Sequence, residues 1–169
     1  MKVEKLVLGP IRTNCYIIIK NGKCIIVDPA DNFAKINDYV KKYQVVGCLV
    51  THYHFDHVDA LDEVLREYKL KANPDTVEDF EYEIIKTPGH AEDSLTFYFK
   101  EEHVMFTGDF LFYNTIGRTD LEGSNPEDMR KSLSLIAKYP DDIKIYPGHG
   151  KESYLATEKK NFDYYYRIL

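Results

Sequence analysis

Six histidines stand in this chain, at 52, 54, 57, 90, 103 and 149, and five of them fall in short segments rich in Gly, Pro and Asp. The densest segment is Thr51-His52-Tyr53-His54-Phe55-Asp56-His57, where four potential metal ligands occur within six residues. In extended backbone His52 and His54 project to the same side, because side chains alternate along a strand. Asp56 and His57 open the helix that follows and reach a neighbouring point. Imidazole and carboxylate together suit zinc, iron or manganese. A solvated polar loop accounts for an isolated His-x-His pair. It does not account for three His and one Asp at the end of a strand. Three further segments follow strand-like runs: Thr87-Pro88-Gly89-His90, Thr107-Gly108-Asp109 and Pro147-Gly148-His149-Gly150. Glycine beside each candidate ligand lets the backbone turn sharply and approach a shared centre. The chemistry implied is a metal pocket built from four strand ends. His52, His54, Asp56, His57, His90, Asp109 and His149 are its candidate ligands, and His103 is left over as an ordinary surface or strand-edge histidine.

The elements that must position these residues are legible in outline. Lys2–Leu8 alternates in part. Cys15–Ile19 and Cys24–Val27 are dense in Ile and Val, and Asn21-Gly22 between them predicts a hairpin with a tight turn. Asp28-Pro29 stops the second of these strands. Residues 32–43 carry Phe33, Ile36 and Val40 at helical spacing. Val45–Val50 reads as a strand buried on both faces, and the His-rich segment follows it. A single helix is expected over 56–68, with Val58, Leu61, Val64, Leu65 and Tyr68 as its apolar stripe. Residues 80–86, 95–99 and 104–106 read as strands. Asn125-Pro126 starts a helix that runs to about Tyr139: Asn caps, Pro fits the first position and Asp128 completes a box-like pattern. Ile143–Tyr146 is a last strand. Leu155, Phe162, Tyr166 and Leu169 fall on one face of a closing helix.

Composition narrows the function classes. The chain has 169 residues and a net charge of −6, which suits one domain, 1–169, with a core large enough to fold. An acidic balance supplies no basic footprint for a nucleic-acid backbone, so no nucleic-acid partner is expected. No apolar run approaches the roughly 20 residues that a spanning helix needs, and the N-terminus lacks a signal-type apolar segment. The expectation is a cytoplasmic protein acting on a small molecule, with no membrane partner. Cys15, Cys24 and Cys48 each lie in a strand-like run and read as buried reduced thiols.

Taken together, THYHFDH at 51–57, TPGH at 87–90, TGD at 107–109 and PGHG at 147–150 resemble the metallo-β-lactamase superfamily, and within it the glyoxalase II-like (hydroxyacylglutathione hydrolase-like) hydrolases. Weaker agreement extends through Thr13-Asn14-Cys15-Tyr16, Val27-Asp28-Pro29 and Gly117-Arg118-Thr119-Asp120. The resemblance implies an α+β fold, the αββα four-layer sandwich of two mixed β-sheets flanked by helices. It also implies two divalent metal ions, zinc foremost, with iron or manganese as alternatives. By position, His52, His54 and His90 hold the first ion, Asp56, His57 and His149 the second, and Asp109 bridges them. Asp28 reads as a residue that orders the ligand loop, and Thr51 as the end of a strand.

The function implied is hydrolysis of a small thioester or related acyl compound. Two ions roughly 3.5–4 Å apart can share a hydroxide and stabilise the oxyanion it creates, so no Ser or Cys nucleophile is needed. Asp56 and Asp109 are then the catalytic carboxylates, Asp56 relaying the water's proton. Arg118 stands where the thioester hydrolases resembled carry a basic residue for the glutathione carboxylate. Pairing with Asp120 or Glu122 is the competing reading of the same arginine. Tyr53, Tyr113 and Tyr154 are candidates to line the pocket. Glu92 and Asp93, in a stretch where the family more usually has Thr-Pro-Gly-Ser, add negative charge. Without the helical C-terminal domain of glyoxalase II, the site is expected to be shallow. The alternative activity within the superfamily is that of the mononuclear-iron persulfide dioxygenases, which use the same motifs for oxidation.

Overall fold

A computed structural model describes residues 1–169, which divide into two compact units, Met1–Tyr82 and Glu83–Leu169. The first unit holds strands β1 (Lys2–Leu8), β2 (Thr13–Lys20), β3 (Lys23–Val27) and β4 (Gln44–Leu49), with helices α1 (Phe33–Val40), α2 (Phe55–Val58) and α3 (Leu61–Tyr68). Its sheet runs β1-β2-β3-β4. The β2–β3 turn is the one the sequence predicts: Asn21 and Gly22 both take positive φ, 53° and 77°, the pairing of a type I′ hairpin. β3 and β4 are parallel, joined by a crossover through α1. The alternation of each strand divides the core. Cys15, Ile17, Cys24, Ile26 and Cys48 pack with Ile36 and Val40 of α1 and Leu61 and Val64 of α3. Tyr16, Ile18, Ile25, Val27 and Leu49 alternate with them and are buried as well. Burial on this scale is worth about 1.5–3 kcal/mol for each large aliphatic side chain. It also pushes the Cys24 thiol up to about 12, and raises Cys15 and Cys48 as well, so all three cysteines are inert core residues as expected.

The second unit contains β5 (Glu83–Lys86), β6 (Leu95–Phe99), β7 (Val104–Gly108), the short hairpin β8 (Leu111–Phe112) and β9 (Thr115–Ile116), α4 (Pro126–Ile136), β10 (Lys144–Pro147), β11 (Ser153–Tyr154), α5 (Leu155–Lys159) and α6 (Phe162–Ile168). Its sheet order is β11-β10-β7-β6-β5, with β7 and β10 parallel and the other pairs antiparallel. Ile85, Tyr98, Met105 and Ile145 pack against Met129, Leu133 and Ile136 of α4 and against Leu155, Phe162 and Tyr165. Both sheets are therefore mixed and flanked by helices, an α+β architecture.

Several expected elements are shorter or broken, each for a local reason. The helix expected over 56–68 is two helices, because the Ala60 N–H leaves the helical ladder and donates to Pro29 O at 3.0 Å. The strand expected from 80 begins at Glu83, since Phe80 N–H turns back to Val77 O at 3.1 Å. The closing helix breaks at Asn161, whose N–H bonds Glu158 O at 2.9 Å and whose side chain donates to Asn114. β4 is buried on both faces only toward its C-terminal end; Val45 and Val46 are half-buried. No helix is long and apolar enough to cross a membrane.

Asn125 caps α4, its side chain accepting from Glu127 N–H at 2.8 Å and Asp128 N–H at 3.2 Å. Asn125→Ala is expected to lower stability by about 1 kcal/mol in urea titration, the usual worth of such a cap.

Candidate metal centre

In the first unit, strand direction brings the polar residues to one sheet edge. β3 and β4 are parallel, so Asp28 and Thr51 leave the sheet on the same side, and antiparallel β2 starts there with Thr13. Asp28, buried and at φ 50°, is the organiser. Its Oδ1 accepts from Thr51 N–H at 2.7 Å, and its Oδ2 accepts from the Thr51 hydroxyl at 2.7 Å and from His57 Nδ1 at 2.9 Å. The Thr51 hydroxyl has one hydrogen, which it donates to Asp28 Oδ2. The 3.1 Å contact between Thr51 Oγ1 and His52 Nδ1 therefore has the histidine as donor. Both rings thus carry hydrogen on Nδ1, which in the neutral imidazole leaves Nε2 as the nitrogen able to ligate a metal. Nε2 of His52 and Nε2 of His57 are both buried.

The remaining candidate ligands of this unit lie close by. The ligand atoms of His52 and His54, of His52 and His57, and of Asp56 and His57 are within 4.8 Å of each other. The His52 ring centroid is 4.6 Å from that of His54 and 4.2 Å from that of His57. The Thr13 hydroxyl donates to Asp56 Oδ2 at 2.7 Å, fixing a carboxylate 43 positions away in sequence. Several acceptor atoms crowded into a buried space repel one another unless a cation lies among them.

The second unit assembles its three candidates by a similar device. β5, β7 and β10 all run in the same direction, so the loops after them share one edge. His90 Nε2 lies 3.6 Å from Asp109 Oδ2, and His149 Nε2 lies 3.5 Å from the same oxygen. These separations exceed a good hydrogen bond. They match the spacing of two ligands on one tetrahedral ion, about 3.4 Å for bonds of roughly 2.0–2.1 Å. His90 Nδ1 is 3.0 Å from Arg118 O; a carbonyl only accepts, so this ring too is protonated at Nδ1 and directs Nε2. Helix α4 braces the His90 loop. Ser132 Oγ donates to Pro88 O at 2.7 Å and Asn125 N–H to Gly89 O at 2.8 Å. Gly89, at φ 146°, packs so closely that a Cβ there would meet Met129 Cα at 2.6 Å. Gly148 N–H donates to Gly108 O at 2.9 Å, tying the Asp109 and His149 loops together.

For Arg118 the structure shows the competing reading, pairing with Asp120. Its guanidinium forms a two-pronged pair with Asp120, 2.8 Å from Nε to Oδ1 and 2.9 Å from Nη2 to Oδ2, on the exposed surface. Its contribution to the ligand cluster is its backbone carbonyl. His103 pairs with Asp142 at 2.8 Å at the opposite end of β7 from Asp109 and stands outside the cluster. Thr51 does more than end a strand, since it relays Asp28 to His52. Thr13 and Gly117 lie in segments of weaker family agreement, and their contacts with Asp56, Asp109 and His90 emerge only in three dimensions.

Residues 8–74 and 72–149 match the sequence profile of the metallo-beta-lactamase superfamily (Lactamase_B), which covers most of the chain. The chain belongs to the metallo-β-lactamase superfamily. The probable metallo-hydrolase YqgX of Bacillus subtilis is 32% identical, over 94% of this chain and 95% of its own length. The hydroxyacylglutathione hydrolase of Francisella tularensis subsp. novicida is 29% identical, over 88% of this chain and 68% of its own. The crystal structure of the BLEG-1 B3 metallo-beta-lactamase is similar with a TM-score of 0.91 at 25% identity, covering 97% of this chain and 99% of that one. The two mixed sheets with their helices are thus those of the metallo-β-lactamase fold. The superfamily is one of metallo-hydrolases, which supports an enzyme, and the chain's His/Asp clusters are suited to divalent metals.

Gly117 gives this metallo-β-lactamase-fold protein a steric test. A Cβ at this position would lie 1.9 Å from Asp109 O and 2.9 Å from His90 Cβ. Gly117→Ala must displace one of these two candidate ligands, at a cost on the order of 1–3 kcal/mol. Elemental analysis is expected to find bound metal reduced by half or more while circular dichroism shows the fold retained.

Proposed function

We propose that His52, His54, Asp56 and His57 of the first unit act with His90, Asp109 and His149 of the second as one binuclear metal centre that hydrolyses a small thioester or related acyl compound. In this reading His52, His54 and His90 hold one ion, Asp56, His57 and His149 hold the other, and Asp109 serves both. The observation that carries it is the fixed tautomer of three histidines. Asp28 holds Nδ1 of His57, Thr51 holds Nδ1 of His52 and the Arg118 carbonyl holds Nδ1 of His90, so each presents Nε2 as a ligand. Membership of the superfamily, with its profile running through both units, supports joining the two clusters. Similarity to a hydroxyacylglutathione hydrolase supports the thioester. Zinc is the metal proposed, and iron or manganese would use the same donors.

When bound, two divalent ions supply Lewis acidity and bring the pKa of a water toward neutrality. The chain's own groups do the rest. Asp56, oriented through Oδ2 by Thr13, takes the proton of the attacking water. Asp109 balances positive charge from a position between His90 and His149. A thiolate leaves without a proton from the protein, which matches a site with no nucleophilic side chain; the cysteines are all in the core. Arg118 can grip a substrate carboxylate only by opening its fork with Asp120.

Elemental analysis after loading with zinc, iron or manganese is expected to give two ions per chain. A single iron per chain, with oxygen-dependent consumption of a persulfide, would establish the dioxygenase chemistry instead. Across a panel of thioesters, esters and lactones, Asp109→Asn is expected to lower kcat/KM for thioesters roughly a hundredfold or more, since the amide keeps the shape and removes the charge. His103→Ala is expected to stay within about twofold of the parent. Equal losses in the two variants would overturn the ligand assignment.

A further inference from the structure

An open cavity of about 470 Å³ in the second unit is lined by Phe112, Tyr113, Thr115, His149, Gly150 and Lys151. The only ammonium in this lining is Lys151, and no carboxylate lines it. Glu92 and Asp93, the acidic pair that the sequence sets near the His90 loop, are exposed and form no part of it. Lys151 Nζ sits 3.6 Å from the centroid of the Tyr113 ring. The ring is its one partner, and it makes no ion pair. Other cations behave differently: Arg118, Lys23, Lys131 and Lys159 are each neutralised by a carboxylate. An ammonium held on an aromatic face keeps its charge available to an incoming anion.

The platform under this lysine is built rather than incidental. Tyr113 lies in the β8–β9 turn, where Asn114 takes φ 57°. The tip is anchored from α5 by Glu158, a fully buried carboxylate whose Oε2 accepts from Asn114 N–H at 2.9 Å and whose Oε1 accepts from the Ser153 hydroxyl. Asn161 adds a bond from its side-chain amide to Asn114 Oδ1 at 3.2 Å. A buried carboxylate is retained when its hydrogen bonds are satisfied, and here they hold the turn that carries Tyr113.

We infer that Lys151, seated on Tyr113, is a specificity-determining residue that selects acyl substrates bearing a carboxylate. This rests on the proposed hydrolytic centre for its biological meaning, because His149 lines the same cavity. It does not depend on that centre for its test. The substrate's carboxylate pairs with the Lys151 ammonium, while Phe112 and Tyr113 cover the apolar part of the molecule. Glu158 is a positioning residue that keeps the turn in place.

The test uses the metal-loaded protein and two non-hydrolysable probes, 3-(ethylthio)propanoate and its neutral isostere 3-(ethylthio)propanamide, titrated by NMR. The parent protein is expected to bind the propanoate at least tenfold more tightly. Lys151→Met is expected to bring the two within about threefold, Lys151→Arg to keep most of the preference, and Glu158→Gln to retain more of it than Glu158→Ala. A preference that survives Lys151→Met overturns the inference, as does a parent protein with no preference. Turnover of S-acetyl-3-mercaptopropanoate and S-acetyl-3-mercaptopropanamide is measured alongside. Failure to hydrolyse either counts against the hydrolase reading and leaves the binding ratio to decide the role of Lys151. Hydrolysis of both, with KM for the anionic thioester unchanged in Lys151→Met, keeps the hydrolase and removes the lysine from specificity.

Discussion

The Asp28 carboxylate is the interaction on which the first ligand cluster depends. Burying an ionised carboxylate is costly unless donors surround it. Asp28 meets that cost with three: Thr51 N–H, the Thr51 hydroxyl and His57 Nδ1. Each hydrogen bond to a charged group is worth about 1.5–3 kcal/mol, enough to hold the residue at a positive φ that a non-glycine residue otherwise avoids. Two of these bonds place a hydrogen on Nδ1 of His52 and of His57, and the three together tie the end of β3 to the segment after β4. Asp28 N–H adds a bond to Leu49 O at 2.9 Å. One carboxylate therefore sets the backbone, tautomers and ring orientations at once.

The second cluster reaches the same result by other means. His90 is held by a neutral carbonyl, that of Arg118, where His57 is held by a carboxylate. Partners of different charge thus leave the same nitrogen, Nε2, facing each cluster. Steric closeness replaces charge elsewhere in this unit. Gly89 lets α4 come against the His90 loop, and Gly117 lets Asp109 and His90 approach each other. Contact distance requires glycine at Gly117, and at Gly89 contact distance and a φ of 146° both require it.

Chemistry was easier to read from the sequence than geometry. The ligand residues are legible because their types are rare together and because each segment follows an apolar run that could only be a strand. The hairpin at Asn21-Gly22 and the cap at Asn125 are legible for the same kind of reason, since their signals are local. Contacts between residues far apart in sequence are not. The bond from Thr13 to Asp56 depends on β2 lying antiparallel to β3, and nothing within either residue's own segment encodes that. Arg118 shows the limit from another side. Its guanidinium was the visible feature, yet the atom that serves the cluster is its carbonyl oxygen, which every residue possesses. The break at Ala60 likewise follows from an acceptor, Pro29 O, that lies in another loop.

Strand direction accounts for which histidines join the clusters. β3 and β4 are parallel, and so are β5, β7 and β10, so the loops after these strands gather at a common edge of each sheet. His52, His90 and His149 follow strands; His103 precedes one. That single difference places His103 at the far end of β7, in a turn where it takes φ 53° and pairs with Asp142 in solvent. The same imidazole is a buried candidate ligand at one end of a strand and an exposed partner of a surface carboxylate at the other. Residue type therefore defines the candidates for metal chemistry, and the direction of the strand beside each one selects among them.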